Sequence, residues 1–184
     1  MFRGWLVVGA LLFVFGAAAG LGIASIFRAK CAACRGDAAA VTALALVMVA
    51  VGLGWVATAA APLALLLGAV FAWFAGRTIF RKGGREGSGR FSAAYSAAVT
   101  ALSGWVVFSA WRGGGSASDH PAHQLGIILC DLAGVALMVF AAAGWLLSAF
   151  AMPAESKSTA VPRLTGVREA LIAAGIALAF YAVS

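Results

Sequence analysis

The chain contains long stretches without a single charge. Gly4 to Ile26 is the first, and roughly 20 predominantly apolar residues are what an α-helix needs to cross the hydrocarbon of a bilayer. Similar stretches recur through the 184 residues, of which 64% are hydrophobic and 10% charged. A water-soluble domain carries about 25% charged residues, so this chain has too little polar surface to face water. It is expected to be all-α: a polytopic transmembrane helix bundle of about six short-looped spans forming a single integral-membrane domain. The same composition excludes a disordered chain, a collagen-like array and a disulfide-stapled secreted scaffold. The 13 Lys and Arg that give a net charge of +7 serve as topology signals, and no nucleic-acid partner is expected.

The first span covers about residues 4–26. A polar patch from Arg28 to Asp37 follows, then an apolar run from Ala38 to Phe80 broken by Pro62 and Arg77. That run is too long for one helix and suits two. The division is expected between Ala59 and Pro62, because proline lacks the N–H of a continuing helix and disfavours α geometry in the residue before it. Spans two and three are then 38–59 and 62–80, with the Arg77 guanidinium reaching the headgroups. A charged, glycine-rich loop from Arg81 to Arg90 leads to span four at 91–111. A second loop, Arg112 to His123, leads to span five at about 124–151, which Met152-Pro153 ends. Span six, about 164–183, has the shortest charge-free part. It is expected to place Arg168 and Glu169 at the headgroups and Thr165 at the N-cap.

Six spans put the first, third and fifth loops on one side, and that side collects every Lys and Arg except Arg3 and Arg112. By the positive-inside rule it faces the cytoplasm, of a plasma or inner membrane, and both termini lie opposite. Trp5, Trp55, Trp105 and Trp111 fall in the outer halves of their helices, where indole rings favour the interface; Trp73 and Trp145 do not fit that belt. In an alternative reading, Met1 to about Ala24 is a cleaved signal peptide. Its apolar run exceeds a usual signal core. Leu12 to Gly20 and Leu137 to Gly144 look alike, but an Ala/Gly/Val/Phe alphabet produces such matches without a repeat.

Cys31 and Cys34 form a C-x-x-C flanked by Lys30 and Arg35. Neighbouring cations favour the thiolate, so the pair suits thiol chemistry or half a metal site. A Cys-only zinc site is disfavoured because the third cysteine, Cys130, belongs near the opposite face. On a cytoplasmic side the pair is expected as free thiols. The motif's position at a helix start is similar to that in the quinone-linked membrane disulfide-forming enzymes. Those enzymes use a second cysteine pair in another loop, which this chain lacks, and it is not assigned to them.

Asp131 is the one acidic residue well inside a span, and an ionisable group at that depth must face the protein interior. Ser92, Ser96, Thr100 and Ser103 line one face of span four, as hydroxyls do for helix packing or along a polar path ending at Asp131. His120 and His123 have the ligand chemistry for zinc or copper, but Pro121 lies between them and no helical pair results. Gly16 and Gly20 make a G-x-x-x-G that permits close helix approach. The basic segment from Arg77 to Arg90 can attract anionic lipid.

No phosphate loop, H-E-x-x-H or G-x-S-x-G occurs. The chain is therefore expected to act by packing, without catalysis or cofactor, as an accessory, assembly or stabilising subunit of a membrane complex or as a homo-oligomer. A small transporter using Asp131 and the hydroxyl stripe is the alternative, and a thiol- or metal-handling protein using Cys31 and Cys34 the second.

Overall fold

The computed structural model describes residues 4–29, 31–80, 87–112, 121–150 and 163–183. Nearly all of them are helical, in α1 (Gly4–Arg28), α2 (Ala32–Gly52), α3 (Val56–Phe80), α4 (Gly87–Arg112), α5 (Pro121–Phe150) and α6 (Arg163–Val183). Five contain a segment long and apolar enough to cross a membrane, and α5 adds an apolar segment over Asp131–Leu147. The molecule is an all-α helix bundle with the character of a multi-pass membrane protein.

The turn between α2 and α3 departs from expectation. It lies at Leu53, Gly54 and Trp55, not at Pro62. Gly54 adopts φ +78°, a left-handed conformation that glycine enters without steric cost. Its N–H donates to Val51 O (2.9 Å) and the Trp55 N–H donates to Ala50 O (3.0 Å). These two bonds are the helix-terminating Schellman pattern, and they satisfy carbonyls that α2 would otherwise leave orphaned. Pro62 is instead held within α3. Its missing N–H and its ring are accommodated by a kink at Ala59 (φ −126°, ψ 25°).

The helices form a closed set of neighbours. α2 lies between α1 and α3, α3 packs along α4, and α6 fills the remaining gap against α1, α5 and α4. This makes α6 the most enclosed span, with 67% of its apolar window buried against 17% for α3. In lipid such contacts gain little from apolar burial, so association depends on close van der Waals fit. Glycines supply that fit. A methyl group added at Gly175 of α6 would lie 2.7 Å from Phe15 Cζ of α1, and one at Gly134 of α5 would lie 2.9 Å from Phe180 Cζ of α6. Gly22 of α1 meets Thr42 of α2 in the same way. Phe15 and Phe180 are correspondingly sealed from the surroundings.

The sequence expectation for Arg168 and Glu169 is overturned. Both are buried, 7% and 6% exposed, rather than extended to headgroups. Because α6 has neighbours on three sides, residues in its second turn face protein.

Candidate functional site

The first turn of α2 carries the most specific chemistry. Cys31 is the N-cap residue, with extended backbone (φ −112°, ψ 146°), and its Sγ accepts a hydrogen bond from the Cys34 N–H at 2.9 Å. Ser, Thr, Asp and Asn normally fill this role with an oxygen; here a sulfur takes it. Three residues on, Cys34 returns to the same side of the helix, and the Cα atoms are 5.2 Å apart. The two sulfurs are joined as a disulfide. The expectation of free thiols is thereby corrected: the N-cap conformation turns Cys31 back over the first turn and brings its sulfur to that of Cys34. Both residues are exposed, as are Arg28 at the end of α1 and Arg35.

The C-terminal end of α3 braces this turn. Arg77 forms an ion pair with Asp37 of α2 (Nη1 to Oδ1, 2.8 Å). The same nitrogen donates to the Ala33 carbonyl, between the two cysteines, at 3.1 Å. Trp73, one helical turn before Arg77, donates its indole N–H to Asp37 Oδ1 at 3.0 Å. The indole comes this close because residue 36 is glycine; a Cβ there would sit 2.5 Å from Trp73 Cζ2. Arg77 therefore points at α2. Trp73, which fits no interfacial belt, has a partner at the opposite end of the bundle from Trp55.

Asp131 of α5 is buried, 6% exposed, as its depth requires. Its partner is the Trp105 indole N–H of α4 at 3.1 Å, not a hydroxyl. The hydroxyl stripe is occupied locally. Thr100 donates to Ser96 O (2.7 Å) and Ser103 to Val99 O (2.9 Å), each back onto its own helix. Ser96, Thr100 and Ser103 are buried, whereas Ser92 is exposed. The stripe thus packs α4 into the bundle, and among the described residues Asp131 is held by the indole and not by these hydroxyls. Alongside Thr100, α3 and α4 enclose an open apolar groove of about 680 Å³ lined by Ala64, Gly68, Phe71, Gly104 and Phe108.

A third polar group lies where α4, α5 and α6 meet. Arg168 Nη2 donates to Glu169 Oε1 at 2.7 Å inside the protein. Tyr95 of α4 stacks at a tilt on Trp145 of α5, with ring centroids 5.4 Å apart. Among the described residues, neither the Tyr95 hydroxyl nor Arg168 Nε meets the geometry of a hydrogen bond. Sequence reading missed this group, since it gives the depth of a residue in a helix but not the direction it faces.

Gly16 and Gly20 do not pack inside the bundle. Both lie on the outer face of α1 with open space where a Cβ would project. His120 is outside the described residues, as are the His123 side chain, the Cys130 side chain and most of the Arg81 to Arg90 loop. Among the described residues no three His, Cys, Asp or Glu side chains converge as a metal site would require. No protein-family model, curated protein or solved structure matches the chain.

Proposed function

We propose that this multi-pass membrane protein exchanges thiols and disulfides with a partner through Cys31 and Cys34. The observation that carries the reading is the exposed Cys31–Cys34 pair at the first turn of a helix, between exposed Arg28 and Arg35. A helix N-terminus and nearby cations stabilise a thiolate, and the Cys34 N–H already points at Cys31 Sγ. Cys31 is thus the sulfur better stabilised as the departing thiolate on reduction and as the attacking thiolate on reoxidation. Reduction by two thiols gives the Cys31–Cys34 dithiol and one external disulfide. Reoxidation by an external disulfide reverses the step.

The distribution of Lys and Arg supports a cytoplasmic position for this end, with both termini opposite. A disulfide in a reducing compartment is characteristically a transient one, which agrees with exchange rather than stapling. The test is to equilibrate the purified Cys130→Ser protein in glutathione redox buffers and count free thiols with a maleimide mass tag. Exchange requires a cooperative passage from no tagged thiol to two. A pair that stays fully tagged in the most oxidising buffer, or untagged in the most reducing one, refutes the reading.

A second reading, self-association or docking onto a larger membrane complex, rests on α1. Gly16 and Gly20 lie one turn apart on its outer face, a spacing that lets a second helix approach closely. Gly16→Leu with Gly20→Leu should convert a dimer to a monomer in light scattering of the detergent-solubilised protein. An unchanged mass removes this reading without touching the first.

A further inference from the structure

We infer that the thiol partner of Cys31 and Cys34 is anionic: a small thiol of the glutathione type, carrying carboxylates beside its sulfur. The inference rests on the exchange reading and adds the charge of what exchanges. It comes from how the structure sorts the cations at this end of the bundle. Arg77 is spent internally, 2.8 Å from Asp37 Oδ1 and 3.1 Å from Ala33 O. Asp37 is the acidic residue adjoining the motif, and Arg77 and the Trp73 indole both hold it. Arg28 and Arg35 remain exposed, one on each side of the disulfide along the chain, and neither is in an ion pair with a described residue. Among the described residues the approach to the sulfurs is therefore net cationic, with the Asp37 carboxylate neutralised by Arg77. Such a surface concentrates anions and raises their rate of encounter, an effect that falls as salt rises.

The thiolate of the incoming molecule attacks one sulfur and the Cys31–Cys34 bond breaks. A mixed disulfide forms while the other cysteine leaves as thiolate and takes a proton from water. A second external thiolate attacks the mixed disulfide at the external sulfur, releasing the oxidised external disulfide and the second cysteine thiolate. Two external thiols are oxidised and one protein disulfide is reduced. Arg28 and Arg35 act on the approach of the anion and on the negative charge gathered in the attack.

The experiment measures the rate at which the Cys130→Ser protein, in zwitterionic nanodiscs, is reduced by glutathione, 2-mercaptoethanol (neutral) and cysteamine (cationic). Arg28→Gln with Arg35→Gln should slow glutathione about fivefold at low ionic strength. The same change should slow 2-mercaptoethanol, whose only charge is its thiolate, less than glutathione, and cysteamine, whose thiolate carries an ammonium, least. Moderate salt should erase most of the difference. Charge reversal, Arg28→Glu with Arg35→Glu, should invert the order of glutathione and cysteamine relative to the parent. Equal effects of the substitutions on all three thiols overturn the anionic partner while leaving exchange intact. Failure of every thiol to reduce the parent protein overturns exchange itself.

Discussion

Two tryptophan–aspartate hydrogen bonds tie neighbouring helices together, and they differ in what else the carboxylate has. Trp73 and Asp37 join α3 to α2 at 3.0 Å, and Trp105 and Asp131 join α4 to α5 at 3.1 Å. Asp37 also holds the Arg77 guanidinium, and its side chain remains 35% exposed. Asp131 is 6% exposed, and among the described residues its carboxylate is held by the indole alone. The same donor and acceptor therefore perform different work. Near the helix ends the bond orients an ion pair that braces the C-x-x-C turn. Deeper in the bundle it is what satisfies a buried carboxylate, in surroundings where an ionisable group costs several kcal/mol unless it is accommodated.

The limiting case for a charge deprived of its partner is the Arg168–Glu169 pair, with side chains only 9% and 8% exposed. Glu169→Ala should have the largest effect, a loss of about 3–5 kcal/mol, because it strands a buried guanidinium. Removing both charges with Arg168→Met and Glu169→Gln should cost much less. Unfolding of the protein in mixed micelles by increasing fractions of a denaturing detergent measures both. Equal costs for the single and double variants would mean that the pair gains nothing from its charges.

Trp105→Phe comes next. It keeps an aromatic ring and removes the indole donor that Asp131 meets, for an expected loss of about 1–3 kcal/mol. Trp73→Phe leaves Asp37 bound to Arg77, so its cost should stay below about 1 kcal/mol on the same scale. Should Trp73→Phe prove the costlier, the distinction between a satisfying bond and an orienting one fails. Asp131→Asn sharpens the contrast, because the amide oxygen still accepts from Trp105 and no charge remains to be buried. Its stability should match or exceed that of the parent.

The two regions were not equally legible in the sequence. Charge-free runs disclosed six helices, since lipid forbids isolated charges wherever a helix crosses. The α2–α3 turn was misplaced because Pro62 is a louder signal than Gly54, yet a proline early in a helix costs only a kink at Ala59, while the left-handed Gly54 ends α2. Depth along a helix was readable, direction was not: Asp131 was identified as buried, but its partner on α4 was Trp105 rather than the hydroxyl stripe. Arg168 and Glu169 were misjudged for the same reason. The Asp37 brace had a signal that went unused. Trp73 and Arg77 are four residues apart and so share a helix face, opposite an acidic residue in an antiparallel neighbour. The pairing of Cys31 with Cys34 depends on the N-cap conformation, which no spacing rule specifies.

Two glycines separate steric from electrostatic support at these bonds. Gly36→Ala places a Cβ 2.5 Å from Trp73 Cζ2, so the indole must move away from Asp37. The cost should be about 1 kcal/mol, at the low end for overpacking, because the ring is 43% exposed and can yield. Gly104, beside Trp105, has nothing within 4 Å of its Cβ position, and Gly104→Ala should be neutral or stabilising through helix propensity. Quenching of Trp73 fluorescence by a water-soluble quencher should rise in Gly36→Ala alone, measured with the other tryptophans replaced by Phe.

The smallest loss belongs to the ion pair that distinguishes the two bonds. Asp37→Asn retains an oxygen for Trp73 and removes the charge that Arg77 meets, so it should cost about 0.2–1 kcal/mol, the range of partly exposed pairs. The cost should shrink as ionic strength rises, since both groups are reached by mobile counterions. No such salt dependence is expected for Trp105→Phe, which removes a neutral donor and changes no charge. A salt-independent cost for Asp37→Asn would show that Asp37 holds α3 through the indole, leaving Arg77 to brace the cysteine turn through Ala33 O alone.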